Sequence, residues 1–174
     1  MVWVLLCLGA LVALLLALAV VGTRLPRRHV AASAIEIARP PAEVWAAVAD
    51  FAGWTAWAPG VKAMERLPDR GGREVWRFSS GHHRIATEVI ERTPPRRLVT
   101  RIADDDLPFG GSWTWELADA PTGTLVTVTE DGEIRNALFR SLARFVFGRH
   151  GTQEKYLRSL AKRLGTDAAP QRIA

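Results

Sequence analysis

The sequence predicts an α+β fold: a curved antiparallel sheet of six to seven strands covered by a long C-terminal helix, with one membrane-spanning helix in front. Three observations carry this. Val2 to Val21 are an unbroken apolar run. The middle of the chain alternates apolar and polar residues with period two, punctuated by glycine and proline. Beyond Glu130 the apolar period becomes helical.

The apolar run holds twenty residues with no charge and no proline. A helix of that length covers roughly 30 Å, the hydrocarbon thickness of a bilayer. Helix is required there, because the bilayer core offers backbone amides no other partner. Trp3 suits an interface. A cleaved signal peptide is the competing reading, with Ala17-Leu18-Ala19 as a cleavage motif. No basic residue precedes the run, however, and the run exceeds the roughly 7–15 apolar residues of such peptides. Residues 1–23 are therefore assigned as an anchor. Arg24, Arg27 and Arg28 follow it, and the positive-inside rule then puts the rest of the chain in the cytoplasm. These arginines also suit anionic head groups. Cys7, the only cysteine, is apolar filler here and permits no intramolecular disulfide.

Residues 24–29 read as a short basic linker, and residues 30–165 as one domain. Val30 to Ala38 is strand-like. Pro41 starts a helix, where its missing N–H costs nothing, and Val44, Trp45 and Val48 share one face. Gly53 breaks that helix, and Trp54 and Trp57 follow. Val61 to Leu67 is a strand closed by Pro68-Asp69-Arg70-Gly71-Gly72. Strands are also expected over Arg73–Ser79, His83–Arg92, Leu98–Ala103, Ser112–Leu117 and Thr124–Glu130, with Asp104–Gly111 as a loop. Short turns between consecutive strands imply antiparallel pairing. Leu138, Leu142, Phe145 and Val146 form one helical stripe. Tyr156, Leu157, Leu160 and Leu164 form another, after a kink or break at Gly148-Arg149-His150-Gly151. Residues 166–174 read as a frayed tail.

The net charge of +5 favours anionic partners. The basic residues of the C-terminal helix, Arg140, Arg144, Lys155, Arg158, Lys162 and Arg163, form a face suited to anionic lipid or to a solvated surface. No nucleic-acid module accompanies the charge, and no nucleic-acid partner is expected. No zinc-ligand spacing, nucleophile elbow or phosphate-binding glycine loop is present, so neither metal nor cofactor is expected. His82 and His83 point to opposite faces of a strand, and His29 falls in the linker. Asp104-Asp105-Asp106 reads as a solvated turn in a loop that can act as a lid.

The stretch Ile-Ala-Arg-Pro-Pro-Ala-Glu-Val-Trp over 37–45, followed by Asp-Phe-Ala-Gly-Trp-Thr-Ala-Trp over 50–57, resembles the opening of the START/polyketide-cyclase superfamily, also called SRPBCC. Glu91 to Leu98 resembles its mid-domain turn, and Gly111–Leu117 and Gly123–Glu130 its last two strands. The resemblance runs from about residue 30 to 164. It implies a helix-grip fold, in which the sheet wraps the last helix and leaves a cavity for lipids, sterols, polyketides or other apolar molecules. No catalytic motif is shared across the superfamily, so no activity transfers with the fold. In such a cavity Trp54, Trp57, Trp76, Phe78, Phe109, Trp113, Trp115, Phe139, Leu142 and Phe145 are the expected ligand-binding residues, because aromatic walls suit an apolar ligand. The plain alternative is a filled core. Glu130 and Tyr156 can offer polar groups, but neither shows a partner for acid–base work. Three functions follow from this reading: a membrane-anchored binder of an apolar small molecule or lipid, a cyclase- or dehydratase-like enzyme, or an interaction protein using its basic face.

Overall fold

The computed structural model describes residues 2–81, 83–147 and 150–173. Helix α1 (Val2–Arg24) leads into strand β1 (Arg28–Ile37), helix α2 (Pro41–Ala49) and a 3-10 turn (Ala52–Ala56). Six strands follow: β2 (Ala63–Arg70), β3 (Arg73–Ser80), β4 (His83–Thr93), β5 (Arg97–Ile102), β6 (Phe109–Ala120) and β7 (Gly123–Ile134). Helix α3 (Ala137–Leu142), a π-helical turn (Ala143–Phe147), helix α4 (Gly151–Arg163) and strand β8 (Gln171–Arg172) complete the chain.

The strands form one antiparallel sheet of eight in the order β2-β3-β4-β5-β6-β7-β1-β8. Strands β2 to β7 follow one another as neighbours; β1 lies beside β7, its Arg28 opposite Glu133 and its Ile37 opposite Thr124, and β8 pairs with the other side of β1. The sheet curves around α4, the helix-grip arrangement that the sequence implies. α2 begins at Pro41 as expected and buries Val44 and Val48 completely.

The core fills one end of this enclosure. Ile35 and Ile37 of β1, Trp115 and Leu117 of β6, and Val126 and Val128 of β7 pack against Val44 and Val48 of α2 and Leu157, Leu160 and Ala161 of α4. The convex face is laced with ion pairs, among them Arg97 with both Glu91 and Glu116, and Glu88 with both Arg73 and Arg101. The partly exposed pairs of Arg97 contribute at most about 1 kcal/mol each, whereas Glu88 is itself buried.

Four details depart from the sequence-based expectation. β2 runs through Pro68 to Arg70; the ladder tolerates the missing proline donor with a register shift between Leu67 and Arg70, and the turn itself shrinks to Gly71 and Gly72 at φ +56° and +76°. His29 belongs to β1 rather than to a linker. Residues 171–172 of the supposed frayed tail pair with Ser33 and Ala34 of β1. The C-terminal helical region divides into α3 and α4 as its glycine interruption implies, but α3 packs chiefly on α1 instead of on the sheet. The expected positions His82, Gly148 and Arg149, and the side chain of Val146, lie outside the described residues.

Candidate functional site

The end of the enclosure beyond the core holds a cavity of about 690 Å³. Its position follows from register. Strands β1, β6 and β7 carry their long apolar residues toward the core end. At the other end their inward positions are His29, Gly111 and Gly132, which leave room. Phe78, Ile85, Thr87, Thr100, Ile102 and Trp113 line the concave wall, Trp54 and Phe51 close the bottom, and Tyr156 and Thr152 of α4 face them. Leu25, Pro26, Phe109, Phe139, Arg140, Ala143 and Arg144 surround the remaining side. The rings of Phe109 and Phe139 approach to 6.5 Å there.

Five of the ten residues expected from the sequence therefore border the cavity: Trp54, Phe78, Phe109, Trp113 and Phe139. The other five do not. Trp115 is wholly buried in the core end, edge-on to Trp54 at 6.1 Å and to Trp57 at 6.5 Å. Trp113 lies on the same face two residues nearer the open end, and so reaches the cavity. Trp57 packs edge-on against Tyr156 at 6.3 Å. Trp76 packs on Phe51 at 5.6 Å, and its indole N–H donates to Glu74 at 2.5 Å. Leu142 and Phe145 sit outside because the helix that carries them turns away along α1; Phe145 is 62% exposed. Arg140 likewise leaves the expected basic face. It is buried and donates to the carbonyls of Gly22, Ile134 and Arg135 at 2.8–3.0 Å.

The cavity also holds polar groups that residue-by-residue reading missed. The imidazole Nε2 of His29 lies 3.6 Å from a Glu130 carboxylate oxygen, both side chains being mostly enclosed. The two strands that carry them pair with a sequence separation of about a hundred residues, which no local pattern announces. A signal was present: counting backward by twos from Ile37 and Ile35 through Ser33 and Ala31 reaches His29 on the same face. Gly132 matters to this pair. A side chain there would run into the His29 ring and crowd the Glu130 carboxylate.

Burial pushes the Tyr156 phenol up to about 12, so it is neutral and able to donate a hydrogen bond at any physiological pH. A folded value above the unfolded value of about 10 means that its contribution to stability is complete below pH 10 and is lost as the pH rises through 12. The wild-type chain should therefore show an additional alkaline loss of stability of up to about 2 kcal/mol over that window, absent in Tyr156→Phe. Urea titrations at stepped alkaline pH check this; parallel curves for the two chains would contradict it.

A family model described as "Polyketide cyclase / dehydrase and lipid transport" matches residues 28–165. No curated protein matches the sequence significantly. Among solved structures, the Zhui aromatase/cyclase from Streptomyces sp. R1128 superposes with a TM-score of 0.65 at 15% identity, covering 79% of this chain and 94% of that one. A START superfamily protein from Mycobacterium smegmatis gives 0.63 at 20%, covering 79% and 97%. The di-domain aromatase/cyclase StfQ of the steffimycin biosynthetic pathway gives 0.65 at 11%, covering 80% of this chain; the chain spans about half of StfQ, 52%. At these identities the structural likeness is one of fold.

Proposed function

Because the chain belongs to the polyketide cyclase/dehydrase and lipid transport family, we propose that it is a membrane-anchored binding protein for a lipid-like molecule: an apolar body with a polar end. The observation that carries this is the cavity itself. Its volume lies within the roughly 300–1,000 Å³ typical of small-molecule sites, and its walls are mainly aromatic and aliphatic. His29, Glu130, Thr87, Thr100 and Tyr156 supply a few polar groups that fix orientation in such a site. The membrane part of the reading rests on α1, which is long and apolar enough to cross a bilayer and whose apolar stretch is unburied.

The test uses the full chain in phosphatidylcholine nanodiscs and a dansyl-labelled lipid, read by energy transfer from the cavity tryptophans. Saturable transfer is expected. Thr100 is buried in the concave wall, so Thr100→Phe fills the space a ligand needs. It should weaken binding about tenfold or more, a loss of at least about 1.4 kcal/mol. Unchanged affinity in a folded Thr100→Phe chain would sink the cavity reading.

The His29–Glu130 pair favours one second reading, acid–base catalysis on a bound carbonyl compound. His29→Gln and Glu130→Gln discriminate the two. As a binding protein, either variant still returns its ligand chemically unaltered. As a catalyst, the wild-type chain takes an α-proton from a poly-β-keto thioester, closes a ring by aldol addition to a remote ketone and releases the new hydroxyl as water, a loss of about 18 Da seen by mass spectrometry, and the variants do not.

A further inference from the structure

The geometry points to residues 137–147 as a second membrane-embedded element, an amphipathic wedge sunk into the leaflet beside α1 that opens the cavity toward the acyl chains. This deepens the membrane-anchored reading and rests on α1 being a span.

The argument begins where α1 meets α3. Gly22 lies directly against the backbone of Ala137, so closely that a side chain at 22 would overlap the Ala137 carbonyl. One helical turn further along α3, the Ser141 hydroxyl donates to the Leu18 carbonyl at 2.7 Å. Between them, Arg140 Nε donates to the Gly22 carbonyl at 2.8 Å. Advancing along α3 from 137 to 141 thus means moving back along α1 from 22 to 18. The two helices run antiparallel, and α3 heads in the direction the anchor takes into the bilayer. Leu18 lies six residues before Arg24, a descent of roughly 9 Å. That matches the roughly 5–10 Å to which interfacial helices sink into a leaflet.

Composition agrees with the path. Leu138, Leu142 and Phe145 lie on this segment, and Phe145 is 62% exposed, whereas every tryptophan of the domain is buried or half-buried. An apolar side chain so placed costs free energy in water and none among acyl chains. The only charged groups on the segment are Arg140, turned inward to three carbonyls, and Arg144, whose long stem allows its guanidinium to reach the head groups.

The same segment forms one wall of the cavity. Phe139, Ala143 and Arg144 border it from this side, and Leu25 and Pro26, the residues that follow α1, border it as well. The cavity rim and the point where the anchor leaves the bilayer are therefore one place. A lipid can slide from the leaflet past Phe139 without crossing water.

Full-length chain with Cys7→Ser is reconstituted in vesicles of phosphatidylcholine and phosphatidylglycerol. A nitrobenzoxadiazole fluorophore is attached at Phe145→Cys, or at Val12→Cys within α1, or at Glu65→Cys on the convex face. Each is challenged with doxyl-labelled lipid and with aqueous iodide. The wedge predicts that labels at 145 and 12 both lose most of their emission to doxyl lipid and little to iodide, with the reverse at 65. A label at 12 quenched by lipid together with one at 145 quenched by iodide overturns the wedge and leaves the anchor standing. Iodide quenching at both 12 and 145 overturns the anchor, and the wedge with it.

Discussion

Trp115→Ala is expected to lower the unfolding free energy by about 3–5 kcal/mol, the range for large-to-small aromatic substitutions in cores. Trp115 is fully buried, with ring neighbours Trp54, Trp57 and Trp113 and the aliphatic residues of β1, β7 and α4 around it. The paired strands that carry many of its neighbours hold their side chains in place, so the space left by an indole is filled only in part. One feature moderates the loss on a gentler substitution. The Trp115 indole N–H has no hydrogen-bond partner among the described residues. A buried unpaired donor costs about 1–3 kcal/mol, so Trp115→Phe, which removes it while retaining a ring, should cost well under half of the alanine value. Trp113→Ala offers the contrast. Its ring faces the cavity, so its removal should cost about 1–2 kcal/mol and show mainly as weaker ligand binding. Urea midpoints of the full chain in a mild detergent, followed by far-ultraviolet circular dichroism, give all three values. Equal losses at 113 and 115 would show that core and cavity are not separate.

Arg140→Met should release α3 from α1 without unfolding the sheet. The guanidinium is buried and makes three hydrogen bonds to carbonyls, one of them at the C-terminal end of α1, where a helix has orphan acceptors and a favourable field for a cation. Hydrogen bonds from a charged donor contribute about 1.5–3 kcal/mol each, and methionine leaves all three carbonyls without that donor. The expected outcome is a local loss of about 3–4 kcal/mol. Hydrogen exchange would show it as amides over 137–142 exchanging at least about a hundredfold faster, with β4 to β6 unchanged. A uniform acceleration across the sheet would mean that α3 belongs to the domain's cooperative core instead.

These expectations draw on features of unequal legibility in the sequence. The long apolar N-terminal helix, the Pro41 helix start and the alternation around Trp113 and Trp115 are local patterns, and local patterns are what a sequence displays. The family likeness supplied the topology that joins them. What stayed hidden depends on long-range register. His29 looked like linker because its neighbours are arginines; only the pairing of β1 with β7 brings it to Glu130. Trp115 and Trp113 share a face and a residue type, so no periodicity separates core from cavity wall; their positions relative to α2 and α4 do. The stripe of Leu138, Leu142 and Phe145 is helical as read, but a stripe does not reveal what it packs on, and here α1 competes with the sheet for it. Proline in β2 and the pairing of Gln171 and Arg172 were missed for a shared reason: sheet edges tolerate residues and lengths that interior strands do not.

That last short strand gives the C-terminus a task. Ile173 donates its backbone N–H to the Ala32 carbonyl at 2.9 Å, and Arg172 is held by Glu154 of α4 at 2.6 Å. Together they cover the open margin of β1, the flank along which another polypeptide would otherwise zip itself on. Clipping these few residues would leave the domain's interior untouched yet turn a closed border into an adhesive one, and purified material would begin to self-associate as its concentration rose.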